Sequence, residues 1–240
     1  MSKSLICLVL VLPFVISSSV YAATIIWVSD DESIAQPWID LLVTQGYTVD
    51  LGFRNQEGRS LDPTKISALN AADLIIVGAD VGHNDYSGGD EPTQWASITT
   101  PLILQKDRLA RNKNWRWLDA SGAEDSLVDM EAVELAHPVF TGVALGANNQ
   151  VSVITEAGSF AKASNAGNGK LIGRQAGNGF VWIVEWEVGQ EFYLGSGQFA
   201  GGPRMYFASG GRRCQEVPRK CRIATAFWLT TRRSCVNMGD

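Results

Sequence analysis

The sequence predicts an α/β domain, with a mainly parallel sheet covered by helices on both faces and β-hairpins added in its second half. Three observations carry that prediction. Short β-rich runs alternate with helix-like stretches, the order that yields parallel strands joined by crossover helices. The third run is continuous in Leu74-Ile75-Ile76-Val77, as expected of a strand covered on both faces. Helix punctuation falls between the runs: Asp62-Pro63 is suited to open a helix and Gly46 to close one.

The elements follow in order. Thr24 to Val28 is a short apolar strand bounded by Ser29-Asp30-Asp31. A helix runs from Ser33 or Ile34 to Gln45, because Ile34, Trp38, Leu41 and Leu42 recur at three- and four-residue spacing. Tyr47 to Phe53 is the second strand, and after the loop Arg54 to Leu61 a short helix runs from Asp62-Pro63 to near Ala72. Asp73 to Val77 is the third strand. A polar, glycine-containing loop, Gly78 to Glu91, leads to a short helix from Pro92 to Ile98, and Pro101 to Leu104 is the fourth strand.

Beyond that point the pattern loosens. Trp115, Trp117 and Leu118 suggest a short strand. Val151 to Ile154, Lys170 to Ile172, Val181 to Glu185, Glu191 to Leu194 and Met205 to Ala208 are further strands, several able to pair as hairpins. Gly167 to Gly169 and Gly177 to Gly179 mark turns. The alternation along Val181 to Glu187 places Trp182 and Trp186 in the core and Glu185 and Glu187 outward, which favours a structural role over a pair of glycosidase carboxylates.

Residues 1–22 have the pattern of a secretory signal. Lys3 supplies the charge, Leu5 to Val15 the apolar stretch, and Val20-Tyr21-Ala22 the small-residue cleavage site. The apolar stretch is too short to span a bilayer, so the expected product is exported or periplasmic, begins near Ala23 and has no membrane span. The 240-residue chain then leaves one generous domain over 23–211. A different composition follows. From 212 to 240 seven Lys/Arg stand against two Asp/Glu, and Cys214, Cys221 and Cys235 all fall there, while the part before it carries −10 of the net −5. An acidic body argues against nucleic acid or an anionic membrane as a partner. The spacing of the three cysteines fits no zinc pattern. Two origins of the tail stay open: a frame slip in the coding region, or a genuine divergent end.

The runs Thr24 to Val28, Asp73 to Val77 and Pro101 to Leu104, followed by Ala136-His137-Pro138-Val139-Phe140-Thr141-Gly142, resemble the class I glutamine-amidotransferase-like superfamily, most nearly its ThuA-like (trehalose-utilisation) branch. The likeness spans about Thr24 to Ala208. It implies a flavodoxin-like three-layer sandwich and carbohydrate-related biology. Hydrolytic members of that group carry a nucleophile on a tight strand-to-helix turn and pair it with a histidine. Here the turn after Leu104 is Gln105-Lys106-Asp107-Arg108-Leu109, which contains neither Cys nor Ser. His137, before Pro138, is expected to make local hydrogen bonds in a structural turn.

In the strand order that the resemblance implies, ligands settle beyond the carboxyl ends of the first and third strands. The first loop offers Ser29, Asp30, Asp31 and Glu32; the second offers Asp80, His83, Asn84, Asp85, Tyr86, Asp90 and Glu91. So many carboxylates at one crevice suit a shared cation with His83 as nitrogen ligand, or else helix caps and turns. Arg108, Arg111, Trp115, Arg116 and Trp117 form an aromatic and basic group suited to a sugar ring or a carboxylate, unless the tryptophans serve the core.

The expectation is an exported, non-catalytic domain binding a small molecule, glycan or protein partner. Its candidate contacts are Asp30, Asp31, Asp80, His83, Asp85, Arg111 and Trp115, with no catalytic residue, metal or cofactor assigned. Two alternatives compete with it. One is an exported carbohydrate-processing enzyme that uses the acidic loops with a metal or as general acid and base. The other is a damaged gene product whose tail cysteines cross-link.

Overall fold

The computed structural model describes residues 22–51, 61–125, 129–153 and 158–208. The signal segment before Ala22, most of the loop after Leu51, and the tail from 212 lie outside the described residues. In chain order the elements are β1 (Thr24–Val28), α1 (Glu32–Thr44), β2 (Thr48–Asp50), α2 (Pro63–Ala71), β3 (Leu74–Val77), α3 (Glu91–Ser97), β4 (Leu102–Leu104) and α4 (Asp107–Ala110). Then come β5 (Ala123–Asp125), β6 (Asp129–Ala132), β7 (Gln150–Ser152), β8 (Ser159–Ala161), β9 (Lys170–Gln175), β10 (Val181–Trp186) and β11 (Arg204–Phe207).

Among the described residues, nine strands form one sheet in the order β2-β1-β3-β4-β11-β10-β9-β6-β7, and β5 pairs with β8 apart from it. The first five, β2-β1-β3-β4-β11, are parallel and follow the flavodoxin-like order. Because parallel crossovers are right-handed, the reversal of direction at β1 puts α1 on one face and α2 and α3 on the other. β3, β4 and β11 are buried at every position, as sandwiching between helices requires. β10, β9, β6 and β7 add on antiparallel, as the hairpin half of the sheet.

The Asp62-Pro63 start is where the sequence puts it, and the acidic loop after β1 supplies the other cap. Asp31 accepts from the Ser33 amide to open α1, and Asp62 accepts from the Lys65 amide to open α2 with Pro63 in its first turn. His137 sits before a single 3₁₀ turn, and its Nδ1 accepts from the Val139 amide.

Two predicted strands are absent. Trp115 to Leu118 folds back onto α4: the amides of Trp115 and Trp117 donate to Leu109 and Ala110, and Arg116 lies in the left-handed region at φ 59°. Extended alternation breaks at such a residue. Glu191 to Leu194 makes one bridge, Glu191 to Phe199, and then turns toward Gly195 at φ 82° and Gly197 at φ 66°. The short strands β5, β6 and β8 went unforeseen because Ala-Glu-Asp, Asp-Met-Glu-Ala and Ser-Phe-Ala contain no apolar β-branched run of the kind that marks β3 and β4.

The tryptophans build the second layer of the core. Trp95 of α3 stacks on Trp115 at 5.2 Å, Trp115 meets Trp117 at 5.7 Å, and Trp117 stacks on Phe192 at 4.9 Å beside Trp186. Tyr86, at 6.4 Å from Trp95, ends this row directly beneath the loop that follows β3. Such contacts exceed the worth of their area alone.

Candidate functional site

The carboxyl ends of the parallel strands are in register, Val28 against Val77 and Val77 against Leu104, so the loops after β1, β3 and β4 emerge at one sheet edge. In two of these loops most of the polar groups are consumed by the loops themselves. Asp80 Oδ2 accepts from the Ser29 hydroxyl at 2.6 Å and from the amides of Asp30 and Asp31 at 2.7 and 2.8 Å. Asp30 answers in the other direction. Its Oδ2 accepts from the Gly82 amide and its Oδ1 from the Tyr86 hydroxyl, both at 2.7 Å.

The two aspartates thus clasp the loops after β1 and β3 to each other, and amide and hydroxyl protons do the work of charge compensation that a cation would otherwise do. Asp31 is exposed and spends Oδ1 on the hydroxyl and amide of Ser33; that hydroxyl holds its carboxyl below the usual range. Asp85 closes a turn through its amide to the Gly82 carbonyl. Its carboxylate lies close over Gly82, so a Cβ at that position would require the Asp85 side chain to move.

The opposite wall of the crevice is basic. The Gln105 amide donates to Val77 at 2.9 Å, extending the β3–β4 pairing by one residue. The Lys106 amine donates to the Ala79 carbonyl at 2.7 Å, latching the loop after β4 to the loop after β3. Asp107 is buried and accepts from the Ser159 hydroxyl at 2.8 Å. Arg108 and Arg111, three apart on the turn of α4, then share a face, with Arg111 Nε donating to the Arg108 carbonyl. His83 sits opposite. Its imidazole is held below its ordinary value by burial first, and then by the positive charges of Arg108, Arg111 and Lys106, with Asp107 opposing them. It is therefore neutral near neutral pH.

The structure brings Asp30, Asp80, Asp85, His83 and Arg111 to this one edge, with Asp31 at its border. It does not bring Trp115. That residue is 0% exposed, stacked on Trp95, and its indole donates to the Tyr86 carbonyl at 2.6 Å, so its face is closed to any ligand. Trp117 is enclosed in the same way. Gln105 and Lys106 entered the sequence reading only as the place where a nucleophile is missing. Their position directly after a buried parallel strand was the signal that could have marked them as site residues.

The other histidine is occupied elsewhere. With Nδ1 accepting, His137 carries its proton on Nε2 and donates to Glu185 Oε2 at 3.1 Å. Glu185 opposes Met205, and β6 leaves the sheet where the parallel strands begin, so this pair lies toward the edge away from the crevice.

No protein-family model matches the sequence, and no curated protein sequence matches it. Among solved structures, the chain is similar to the CTPS glutaminase domain of Trypanosoma brucei, which was solved with bound acivicin. The two share 14% identity over 68% of this chain and 81% of that one, at a TM-score of 0.43. A superposition that loose transfers nothing about activity.

Proposed function

We propose that this protein is an exported, amidotransferase-like α/β domain that binds a ligand at the crevice above β1, β3 and β4 without cleaving it. One observation carries the reading: the turn after β4 offers Gln105 and a lysine whose amine is latched to Ala79, and no hydroxyl or thiol. A nucleophile also needs a base within hydrogen-bond reach. His137 spends both ring nitrogens on Val139 and Glu185 toward the other edge of the sheet, and His83 faces a basic wall, with the Ser87 hydroxyl beside it donating to the His83 backbone carbonyl at 2.8 Å. The clasped state of Asp30 and Asp80 speaks against the alternative in which these acids hold a catalytic metal, since three of their four carboxylate oxygens already accept from protein donors and the fourth, Asp80 Oδ1, lies against Gly78.

The test uses the secreted full chain, exposed to electrophilic acyl- and glycosyl-transfer probes and to a panel of glycans and amides. The expected outcome is no covalent adduct and no turnover, with ligand-induced protection from hydrogen exchange confined to 79–86 and 105–111. A stable adduct on any side chain, or hydrolysis above background, overturns the reading.

A further inference from the structure

The described surface treats its cations in two ways. Lys162, Lys170 and Arg174 are each paired with a glutamate, Glu124, Glu134 and Glu131 respectively. Lys106, Arg108, Arg111, Lys113 and Arg116 instead crowd into eleven consecutive residues of an acidic chain, and none of Arg108, Arg111, Lys113 or Arg116 has an ion pair among the described residues. The acid within that stretch, Asp107, is buried and bound to Ser159.

Like charges so placed repel one another, and the pair Arg108 and Arg111 is kept together by bonds that do not neutralise it. Arg111 Nε and Asn114 Nδ2 both donate to the Arg108 carbonyl. A second, independent feature lies at the foot of this rim. Gln105 is 6% exposed, yet its side-chain amide makes no hydrogen bond among the described residues, and its amide atoms are not sealed from solvent. A residue nine-tenths buried whose donor and acceptor both remain unspent is a place for a ligand atom or a water.

We propose that the rim formed by His83, Arg108 and Arg111, with the amide of Gln105 at its foot, is a binding site for a small oxyanion, a carboxylate or a phosphate group borne by the ligand. This deepens the reading above, resting on the same crevice and naming the chemistry it recognises. The guanidinium groups supply charge and paired donors, the neutral imidazole supplies one N–H donor and one acceptor, the Gln105 amide supplies an NH2 donor group and a carbonyl acceptor, and Lys106 is a positioning residue that fixes the two walls.

Calorimetric titration of the full chain with malonate and with inorganic phosphate, at low and moderate salt, tests it. Saturable binding of either anion that weakens as salt rises, and that falls at least tenfold in Arg111→Gln and in Arg108→Gln, is the expected result. The two arms identify which anion is preferred. Gln105→Leu should weaken binding several-fold while leaving the salt dependence in place, since it removes dipoles and no charge. Both Arg variants change exposed or half-buried side chains, and an unchanged melting temperature shows that they fold. Absence of saturable binding by both anions, or equal affinity in parent and Arg variants, overturns the proposal. Neutral sugars that protect the crevice where neither anion binds would also overturn it, yet leave the ligand-binding reading intact.

Discussion

The two edges of the central sheet use the same side-chain chemistry to opposite ends. At the edge where the parallel strands begin, Arg204 is 0% exposed and its guanidinium donates to the carbonyls of Ala96 and Thr100 at 3.0 Å, to Pro203 at 3.1 Å, and to Ile98. It closes the carboxyl end of α3, where unpaired carbonyls and the helix dipole favour a cation. At the other edge, Arg108 and Arg111 have no ion pair among the described residues. The histidines divide likewise, His137 with both nitrogens engaged and His83 with none engaged among the described residues. Polar groups that are consumed hold a fold together, and those left over can recognise something else.

The largest effect expected from breaking this contrast is at the closed edge. Arg204 has no carboxylate partner among the described residues, and burial pulls its guanidinium down to about 9. Arg204→Met leaves several helix-end carbonyls without donors and should cost about 3 kcal/mol, seen as a lowered urea midpoint, while the folded remainder keeps its affinity for malonate. A matching loss of affinity would mean that the two edges are not independent.

Next comes the clasp. Asp80→Ala strands the amides of Asp30 and Asp31 and should cost about 2 kcal/mol, with faster hydrogen exchange at both loops. Tyr86→Phe removes one hydroxyl from Asp30 and leaves the aromatic row intact, so about 1 kcal/mol is expected by the same unfolding measurement. An effect larger than that of Asp80→Ala would transfer the central role in the clasp from Asp80 to Asp30.

The smallest effect is the one that pH should reveal. Because folding holds the His83 value below the unfolded one, the unfolded chain binds more protons between the two, so stability falls as pH drops through the ordinary histidine value. Affinity for malonate should rise by a few-fold over the same window, since protonated His83 adds charge to the rim formed with Arg108, Arg111 and Lys106. His83→Asn should abolish both trends. Persistence of either trend in that variant would assign it to another group.

How much of this was legible beforehand varied with the length of the pattern. β1, β3 and β4, α1 with its Asp31 cap, and α2 with Asp62-Pro63 were readable because burial on both faces and cap chemistry are local signals. Trp115 and Trp117 misled, because two tryptophans at alternate positions look the same whether they line a strand or pack under a turn, and the left-handed Arg116 between them leaves no trace in composition. Asp30 and Asp80 were readable as neighbours at one crevice but not as a reciprocal clasp, since their partners are amides and hydroxyls 49 to 56 residues away.

The amino-acid order by itself determined the alternation of strands and helices, the acidic body and the absence of Cys and Ser from the turn 105–109, for each depends on neighbours in the chain. Only the tertiary structure decided which charges are spent. Whether an arginine is enclosed by carbonyls, like Arg204, or left facing a histidine, like Arg111, depends on what distant segments bring to it, and hydrogen bonding and burial act through space with no regard for sequence distance.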